Sequence, residues 1–350
     1  MALFGSIALV GGLAFASPAA AAGHVVRPGD SIQAAIDDAS PGDTIILQAG
    51  TYHENIRIAT DDITIIGSGA TLMPPAAPVE NECGDPEDPS VVSGVCIIGS
   101  DIDFDTGAVG DPIDGVRIIG LHVEGFEGIG IVQIGGTDLS MIANTLVDNG
   151  EYGTAAFMSS GTKAIANKVD GAEEAGLYFG DSPDADAKII GNDTTDALFG
   201  IFVRNAEGAH IVGNRVHGNC LGVIFLGDAP GPVGASDVFG NFIFENNRFC
   251  PPSEDTPFPI QGVGTALVGA HDVTLTGNII TNNNGDSPVA GGVTVIAGGD
   301  PSAPGTPPTN NTVRGNIITN NTPDINWDGS GTGNVFEHNV CDTSTPDGLC

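Results

Sequence analysis

A phrase that repeats about every 23 residues most constrains what this chain can fold into. From about residue 115 onward, a β-branched strand precedes Gly-Asn or a similar pair, and a second short strand, a polar turn and a glycine-led apolar strand follow. The segments Ala209–Val216 and Val273–Ile280 are two copies of its first half. The asparagines that recur with the phrase are Asn144, Asn167, Asn192, Asn214, Asn247, Asn278, Asn316 and Asn339. Such a repeat is typical of a solenoid, in which each coil packs only against its neighbours.

The recurring asparagine fits a tight bend of each coil. Asparagine tolerates left-handed backbone angles, and its amide bonds to nearby backbone. Coils stacked ~4.8 Å apart would align these amides into a hydrogen-bonded ladder. Because side chains alternate along a strand, we place Ile201 and Val203 in the narrow core, and Phe202 and Arg204 outside it. The pattern predicts an all-β fold, a parallel β-helix that forms a single elongated domain over 23–350.

The two ends of the chain carry a family resemblance. The opening phrases Pro28–Ile36 and Pro41–Glu54 are similar to the start of many members of the pectate-lyase-like superfamily of right-handed parallel β-helices. The closing phrase Ile325–Asn334, with Cys341 and Cys350, resembles the tail of secreted actinobacterial β-helix proteins. The resemblance implies a right-handed coil. It does not imply one activity, because the superfamily contains lyases, hydrolases, esterases, epimerases and proteins that are not enzymes.

The resemblance also implies that a short helix plugs the N-terminal end of the coil, within a cap at about 23–50, and that a second cap lies at about 323–350. In the sequence, Asp30 with Gln33 matches a capping box, and Ile32, Ala35 and Ile36 form one apolar helical face. Caps matter because an open coil end would expose core side chains and unpaired strand edges.

Residues 1–22 are typical of a signal peptide for secretion. An apolar run, Leu3–Phe15, is too short to cross a membrane, and the small residues Ala19–Ala22 follow it. Cleavage after about Ala22 is expected, although no Lys or Arg precedes the apolar run. No later stretch has the length and apolar character of a membrane span. We therefore expect a secreted, extracellular protein.

The charge of the chain excludes one class of partner. Asp and Glu number 44 against 10 Lys and Arg, for a formal net charge of −34. Nucleic acid binding needs clustered Lys and Arg, so nucleic acid is not expected as a partner. The acidic surplus favours cations instead, and the alternating carboxylates of Asp101, Asp103 and Asp105 make Ca²⁺ the candidate cofactor.

Six cysteines fit an oxidising compartment. Their order suggests the local pairs Cys83–Cys96, Cys220–Cys250 and Cys341–Cys350, while other pairings stay open. None has the CxxC spacing of a zinc site, so a structural role is expected.

The candidate catalytic residues lie on or beside the glycine-led strands. The Gly-His-Gly of polygalacturonases, the Asp-Pro-His-Glu of alginate epimerases and the Arg-x-Pro-x-x-Arg of pectate lyases are missing, so no family's catalytic residues can be carried over. The remaining candidates are Arg204, Tyr178, Glu174 and Asp196 for catalysis, and Phe202 and Asp181 for substrate binding. Arg or Tyr with Ca²⁺ would suit β-elimination of a uronic acid, whereas Glu174 with Asp196 or Asp181 would suit glycoside hydrolysis.

Two functions stay open at this point. The first is a secreted β-helix that acts on extracellular polysaccharide, for example a Ca²⁺-assisted lyase; the second is a non-catalytic scaffold or glycan-binding surface protein. The outward positions Tyr178, Phe202, Ile224, Leu226, Val268 and Ile296 are apolar and need a cover. That cover is either the chain's own inserts near 228–237, 251–262 and 298–310, a second subunit, or sugar rings. An open polar groove beside Arg204 would favour the enzyme, and a groove filled by the chain's own loops would favour the scaffold.

Overall fold

The chain winds as a right-handed parallel β-helix, and one short helix, Ile32–Asp37, lies near its start. The computed structural model describes residues 21–85, 87–228, 231–253, 256–299 and 306–350. Residues 1–20, which carry most of the expected signal peptide, lie outside the described residues. The helix has six residues, so no helix in the described part of the chain has the length and apolar character to cross a bilayer.

Successive coils contribute strands to three faces. Face 1 is a 12-stranded parallel sheet made of Gly23–Val26, Thr44–Leu47, Thr64–Ile66, Arg117–Ile119, Ser140–Ile142, Lys163–Ile165, Lys188–Ile190, His210–Val212, Asp237–Phe239, Thr274–Thr276, Thr312–Arg314 and Val335–Glu337. Faces 2 and 3 belong to one 19-stranded sheet. Face 2 contains Gly50–His53, Ala70–Met73, His122–Glu124, Thr145–Asn149, Arg215–His217, Phe242–Phe244, Ile279–Thr281 and Ile317–Thr319.

Face 3 carries the glycine-led strands. It contains Ile56–Ile58, Val95–Ile98, Ile131–Ile134, Tyr152–Phe157, Leu221–Leu226, Val263–Val268, Gly291–Ile296, Ile325–Trp327 and Ser344–Thr345. The long strands Lys168–Ser182 and Asp193–Ala206 run through faces 2 and 3. Two small pairs lie outside the faces: an antiparallel hairpin, Ser100–Asp103 with Ala108–Asp111, and a parallel pair, Ile113–Asp114 with Gly136–Thr137.

The core is a narrow column inside the coil. One register position of face 1 holds Ile65, Ile118, Met141, Ala164 and Ile189 in successive coils, all buried. Ile201 and Val203 are fully buried in this column, which confirms the predicted alternation. Phe202 and Arg204 point to the opposite side of face 3.

Asparagine amides form the predicted ladder between coils. The Asn192 Nδ2 donates to Asn214 Oδ1 at 2.9 Å and to the Ala164 carbonyl at 2.9 Å. The same Asn214 oxygen accepts from the Asn192 backbone N–H at 2.8 Å. The members of this ladder are Asn144, Asn167, Asn192, Asn214, Asn241, Asn278, Asn316 and Asn339. Each amide therefore satisfies backbone groups at a bend that would otherwise leave them unpaired.

One predicted ladder member was wrong, because Asn241 and not Asn247 occupies the fifth position. Asn241 accepts from Asn214 Nδ2 at 2.9 Å and donates to Asn278 Oδ1 at 3.0 Å. Asn247 lies beyond the other end of the strand Phe242–Phe244, where its Oδ1 accepts from the Asn284 backbone N–H at 2.6 Å. Loops inserted in these coils lengthen the spacing to 27 and 37 residues, so the period could not choose between two asparagines that flank one short strand.

A second ladder, which the sequence analysis missed, lies at the bend between faces 2 and 3. It consists of Asn219, Asn246, Asn283 and Asn321. Asp324 ends it, because its Oδ1 accepts from Asn321 Nδ2 at 3.1 Å and its Oδ2 accepts from the Asp342 N–H at 2.9 Å. A carboxylate, which only accepts hydrogen bonds, fits this end position because no further asparagine oxygen follows that would need an N–H donor.

The N-terminal helix begins differently from its prediction. Ser31 is the N-cap, and its hydroxyl oxygen accepts from the Ala34 N–H at 3.1 Å. Asp30 instead accepts from Arg27, so the predicted Asp30–Gln33 capping box was wrong. Glu54 from the next coil accepts from the Ile32 N–H at 3.0 Å, so the helix N-terminus is satisfied by Ser31 together with a side chain from the next coil.

The disulfides join the pairs that the sequence order suggested: Cys83–Cys96, Cys220–Cys250 and Cys341–Cys350. In the predicted C-terminal cap, the strands Ile325–Trp327 and Ser344–Thr345 pair with each other and continue face 3. This end is thus a last partial coil held by a disulfide.

We predict that Asn241→Ala lowers the free energy of unfolding by about 3 kcal/mol, because it leaves buried amide and carbonyl groups of two coils without partners. Asn247→Ala, the matched control, should cost about 1 kcal/mol or less because its side chain lies near the surface. Urea denaturation of both variants measures the difference. Equal losses would contradict the assignment of the ladder to Asn241.

Candidate functional site

The outer side of face 3 carries a buried cluster of five aromatic rings. The parallel register places Tyr178 beside Phe202 on the next coil. The rings of Tyr178 and Phe202 lie 5.1 Å apart, those of Tyr152 and Tyr178 4.7 Å, those of Phe157 and Tyr178 4.8 Å, and those of Phe199 and Phe202 4.8 Å. Tyr178 and Phe202 are only 1% and 2% exposed. Gly180 makes room for this packing, since a Cβ there would collide with the Tyr178 ring.

The chain itself covers this cluster. Ile260 and Phe258, from the insert predicted near 251–262, pack on it, and so does Ile102 of the antiparallel hairpin. The insert near 228–237 instead sends Val233 into the inner core, and the insert near 298–310 lies partly outside the described residues. Phe202, expected to bind substrate, therefore packs inside the protein and does not present its ring to a sugar.

Arg204 and Tyr178 lie next to each other, as their register requires. Arg204 Nε lies 3.1 Å from both carboxylate oxygens of Asp228, and its Nη2 lies 2.7 Å from Asp228 Oδ2. This hydrogen bonding raises the pKa of Arg204. Burial, and then the charge of Asp181, raise the pKa of Tyr178 above its ordinary value. The buried phenol therefore stays protonated, and the guanidinium already holds a carboxylate of its own chain.

A cleft of about 620 Å³ opens beside this pair, and we call it the arginine cleft. Its lining includes Arg204, Asn205, Asp181, Phe157 and Ile134. Asn205 Nδ2 donates to Asp228 Oδ1 at 2.7 Å. The polar side chains of Arg204 and Asn205 that line the cleft are therefore already hydrogen-bonded to a residue of the chain itself. The arrangement is a partly filled groove.

A larger cleft of about 730 Å³ lies at the opposite ends of the same strands, and we call it the acidic cleft. It shares Ile134 and Phe157 with the arginine cleft, so the two are neighbours on face 3. Its carboxylates are Glu82, Asp85, Glu127, Glu151, Glu173 and Glu174, and its apolar lining includes Ile129, Val132, Leu198 and Phe199. Among the residues that the structure describes, no Lys, Arg or His lines this cleft.

The turn before face 3 positions Glu174 in the acidic cleft. The Glu174 N–H donates to the Glu151 carbonyl at 3.0 Å, and the register shifts between Ala172 and Ala175 as in a β-bulge. The Tyr152 hydroxyl, on a residue that is 5% exposed, donates to Glu174 Oε2 at 2.7 Å. Burial, and then the charge of Glu174, raise the pKa of Tyr152, so this hydroxyl keeps its proton.

Glu151 is a neighbour of Glu174 in the acidic cleft that the sequence analysis missed. Glu151 is a solvent-exposed residue, and desolvation of its carboxyl group at the cleft wall, followed by the charges of Glu174 and Asp85, raises its pKa. Glu151 precedes Glu174 by one repeat of 23 residues, the spacing of Asn144 and Asn167 in the ladder. That spacing was the signal that could have found it.

Asp196 lies apart from the other candidates. Its Oδ1 lies 3.2 Å from Arg248 Nε, and its carbonyl accepts from Arg248 Nη1 at 3.0 Å. It lines a third cleft, whose lining includes Glu127 and Glu173 but not Glu174. Likewise, Asp181 lines the arginine cleft, whereas Glu174 lines the acidic cleft. The two pairs considered for hydrolysis, Glu174 with Asp196 and Glu174 with Asp181, therefore each have their members in different clefts.

Within the described ranges, no group of three or more His, Cys, Asp and Glu side chains is arranged to hold a metal ion. In the acidic turn proposed for Ca²⁺, the Asp103 carboxylate accepts from the Asp105 and Thr106 N–H groups at 3.0 and 3.1 Å. This side chain closes the turn of the antiparallel hairpin.

Comparison with known proteins agrees with the fold. Residues 91–249 match the family model described as right handed beta helix region. No curated protein sequence matches the chain. The chain is a right-handed parallel β-helix, as its sequence implied.

Solved structures share the coil. The A-module of the Azotobacter vinelandii mannuronan C-5 epimerase AlgE6 superposes with a TM-score of 0.59 at 19% identity, over 89% of this chain and 90% of that chain. The periplasmic alginate epimerase AlgG gives 0.56 at 14% identity, over 90% and 83%. The catalytic domain of a GH87 α-1,3-glucanase gives 0.58 at 14% identity, over 94% and 66%. At such identity the likeness establishes the fold alone.

We predict that Phe202→Ala lowers the free energy of unfolding by about 4 kcal/mol, because it opens a cavity in the aromatic cluster. Phe242→Ala is the matched control: Phe242 faces outward on face 2 and is 37% exposed, so its loss should cost about 1 kcal/mol. Thermal and urea denaturation measure both. A Phe202→Ala protein of unchanged stability that binds glycan less tightly would restore the sugar-stacking role.

Proposed function

We propose that this chain hydrolyses glycosidic bonds of extracellular polysaccharide in the acidic cleft. Glu151 acts as the general acid, and Glu174 acts as the second carboxylate. One observation carries the proposal: Glu151 and Glu174 lie one coil apart in the same cleft, where burial and neighbouring charge raise the pKa of Glu151 while Tyr152 donates a hydrogen bond to Glu174.

Glycoside hydrolysis needs two carboxyl groups in different protonation states. The protonated Glu151 transfers its proton to the glycosidic oxygen as the bond from that oxygen to the anomeric carbon breaks. The Glu174 carboxylate either deprotonates the water that attacks this carbon, or attacks it directly before water releases the sugar. In both cases one water is consumed and a new reducing end forms.

The lining of the acidic cleft suits a neutral glycan. The half-buried side chains of Phe157 and Leu198 offer apolar surface to the faces of sugar rings, and carboxylates at the rim accept hydrogen bonds from hydroxyl groups. Glu82 is already paired with Arg57 at 2.8 Å, and the other five carboxylates, with no Lys, Arg or His among the described lining residues, would repel a polyuronate. Two proteins that share this coil, a mannuronan C-5 epimerase and an α-1,3-glucanase, are likewise named for reactions on polysaccharides.

A polyuronate lyase built on Arg204 and Tyr178, with or without Ca²⁺, has less support. Tyr178 is 1% exposed and so is not presented to a substrate, and Arg204, although it lines the arginine cleft, is already paired with both oxygens of Asp228. The extracellular location is part of the proposal, and the three disulfides support it because such bonds persist in oxidising compartments.

We predict that the protein releases reducing ends from a neutral polysaccharide, and that Glu151→Gln or Glu174→Gln lowers kcat/KM at least ~100-fold. Glu245→Gln, which changes an exposed carboxylate outside the cleft, is the matched control and should retain activity. The assay uses neutral and acidic polysaccharides with Ca²⁺ and with chelator, and follows both reducing ends and unsaturated products.

Other outcomes of this assay would overturn the hydrolase. Unsaturated product that disappears with Arg204→Ala would establish a lyase at the arginine cleft. Glycan binding without any product, lost with Glu174→Gln, would establish a binding protein that uses the same cleft.

We also predict how activity depends on pH. The reaction needs protonated Glu151, so kcat/KM should fall as pH rises through the raised pKa of Glu151, above the ordinary value of about 4.3. Asp85→Asn removes one of the charges that raise this pKa, and should move the alkaline limb to lower pH. Glu245→Gln should leave the limb in place, and the same shift in both variants would exclude Glu151 as the acid.

A further inference from the structure

Among the described residues, which begin at 21, Ala22 is the first that the coil holds through its backbone. Its N–H donates to Asp43 Oδ1 at 2.6 Å, and its carbonyl accepts from the Thr44 N–H at 2.9 Å. The parallel pairing of face 1 then starts with Gly23 beside Thr44. Ala22 therefore belongs to the folded coil.

Asp43 is a built carboxylate at this position. It is 6% exposed, and its Oδ2 accepts from the Ser40 N–H at 2.9 Å and lies 3.1 Å from His24 Nε2. Hydrogen bonds from Ser40, Ala22 and His24 lower the pKa of Asp43 to about 2. An ionised, nearly buried carboxylate therefore lies within hydrogen-bond distance of the Ala22 nitrogen.

The sequence alone leaves two cleavage positions equal. A cut after Ala21 has Ala21 and Ala19 at the last and third-last positions, and a cut after Ala22 has Ala22 and Ala20 there, so both satisfy the small-residue rule. The folded chain distinguishes them. Loss of Ala22 would leave Asp43 Oδ1 without this donor and the Thr44 N–H without this acceptor.

We propose that a processing peptidase cuts between Ala21 and Ala22, and that the new α-ammonium of Ala22 forms an ion pair with Asp43 that closes the first coil. As the Ala21–Ala22 amide bond breaks, water supplies one oxygen to the new Ala21 carboxylate and both of its protons to the Ala22 nitrogen, which becomes the ammonium, so no other reactant is needed. A charged donor at 2.6 Å from a carboxylate binds more strongly than the neutral amide it replaces. This inference rests on the expected export signal and is independent of the proposed hydrolase.

The first test is the start of the secreted protein. The full chain is expressed in a secreting bacterial host, and intact mass with N-terminal sequencing identifies the first residue. The expected result is Ala22. A chain that begins at Gly23, at another residue or at Met1 would overturn the proposal.

The second test measures the pKa of the α-amine in the secreted protein from the pH dependence of its reductive methylation. We expect the α-amine pKa to lie above its ordinary range of about 7.7–8.0. It should return to that range in Asp43→Asn, and it should stay raised in the control Asp38→Asn, which changes an exposed carboxylate. Asp43→Asn should also lower Tm by about 2 °C. Because Asp43→Asn also removes the His24 contact, the α-amine pKa is the decisive reading, and equal values in all three proteins would exclude the ion pair.

Discussion

Hydrogen bonding between successive parallel coils is the interaction on which the rest of this structure depends. It holds each residue beside its counterpart one coil away, as at Ile118 and Met141 in the core. The register lets one amide satisfy the backbone of two coils, so the ladder through Asn192 and Asn214 follows from it. Where inserted loops lengthen a coil, the register is kept and the loop is pushed outward, as between Asn241 and Asn278.

The same register creates the candidate site. It stacks Tyr178 beside Phe202 and leaves Tyr152, at the end of its strand, within reach of Glu174. It also brings Glu151 one coil from Glu174, so that desolvation in the cleft, and then the charge of Glu174, disfavours the ionised form of Glu151. The raised pKa of Glu151 is therefore a consequence of the coil, and it supplies the acid that the proposed hydrolysis requires.

Carboxylates also close the places where the coil runs out of partners. Glu54 accepts from the N-terminus of the capping helix, Asp43 accepts from Ala22 at the first strand, and Asp324 ends the second asparagine ladder. Each satisfies backbone or amide N–H groups that have no further coil to bond to. Part of the acidic surplus of the chain is thus structural. At the ends of the coil, carboxylates act as the hydrogen-bond acceptors that asparagine amides or backbone carbonyls provide in the interior coils.

By itself, the sequence determined the repeating coil, the alternation of Ile201 and Phe202 and seven of the eight asparagines in the first ladder, because these depend on period and local order. It suggested the three local disulfide pairs but left other pairings open, and the structure contains the local ones. Only the tertiary structure decided between Asn241 and Asn247, since inserted loops break the period there. It also decided that the chain buries Phe202, that Asp228 holds Arg204, and that Glu151 is the partner of Glu174. These outcomes depend on how distant loops fold back over face 3 and on which side chains meet in one cleft. The repeat period of the sequence carries no information on either.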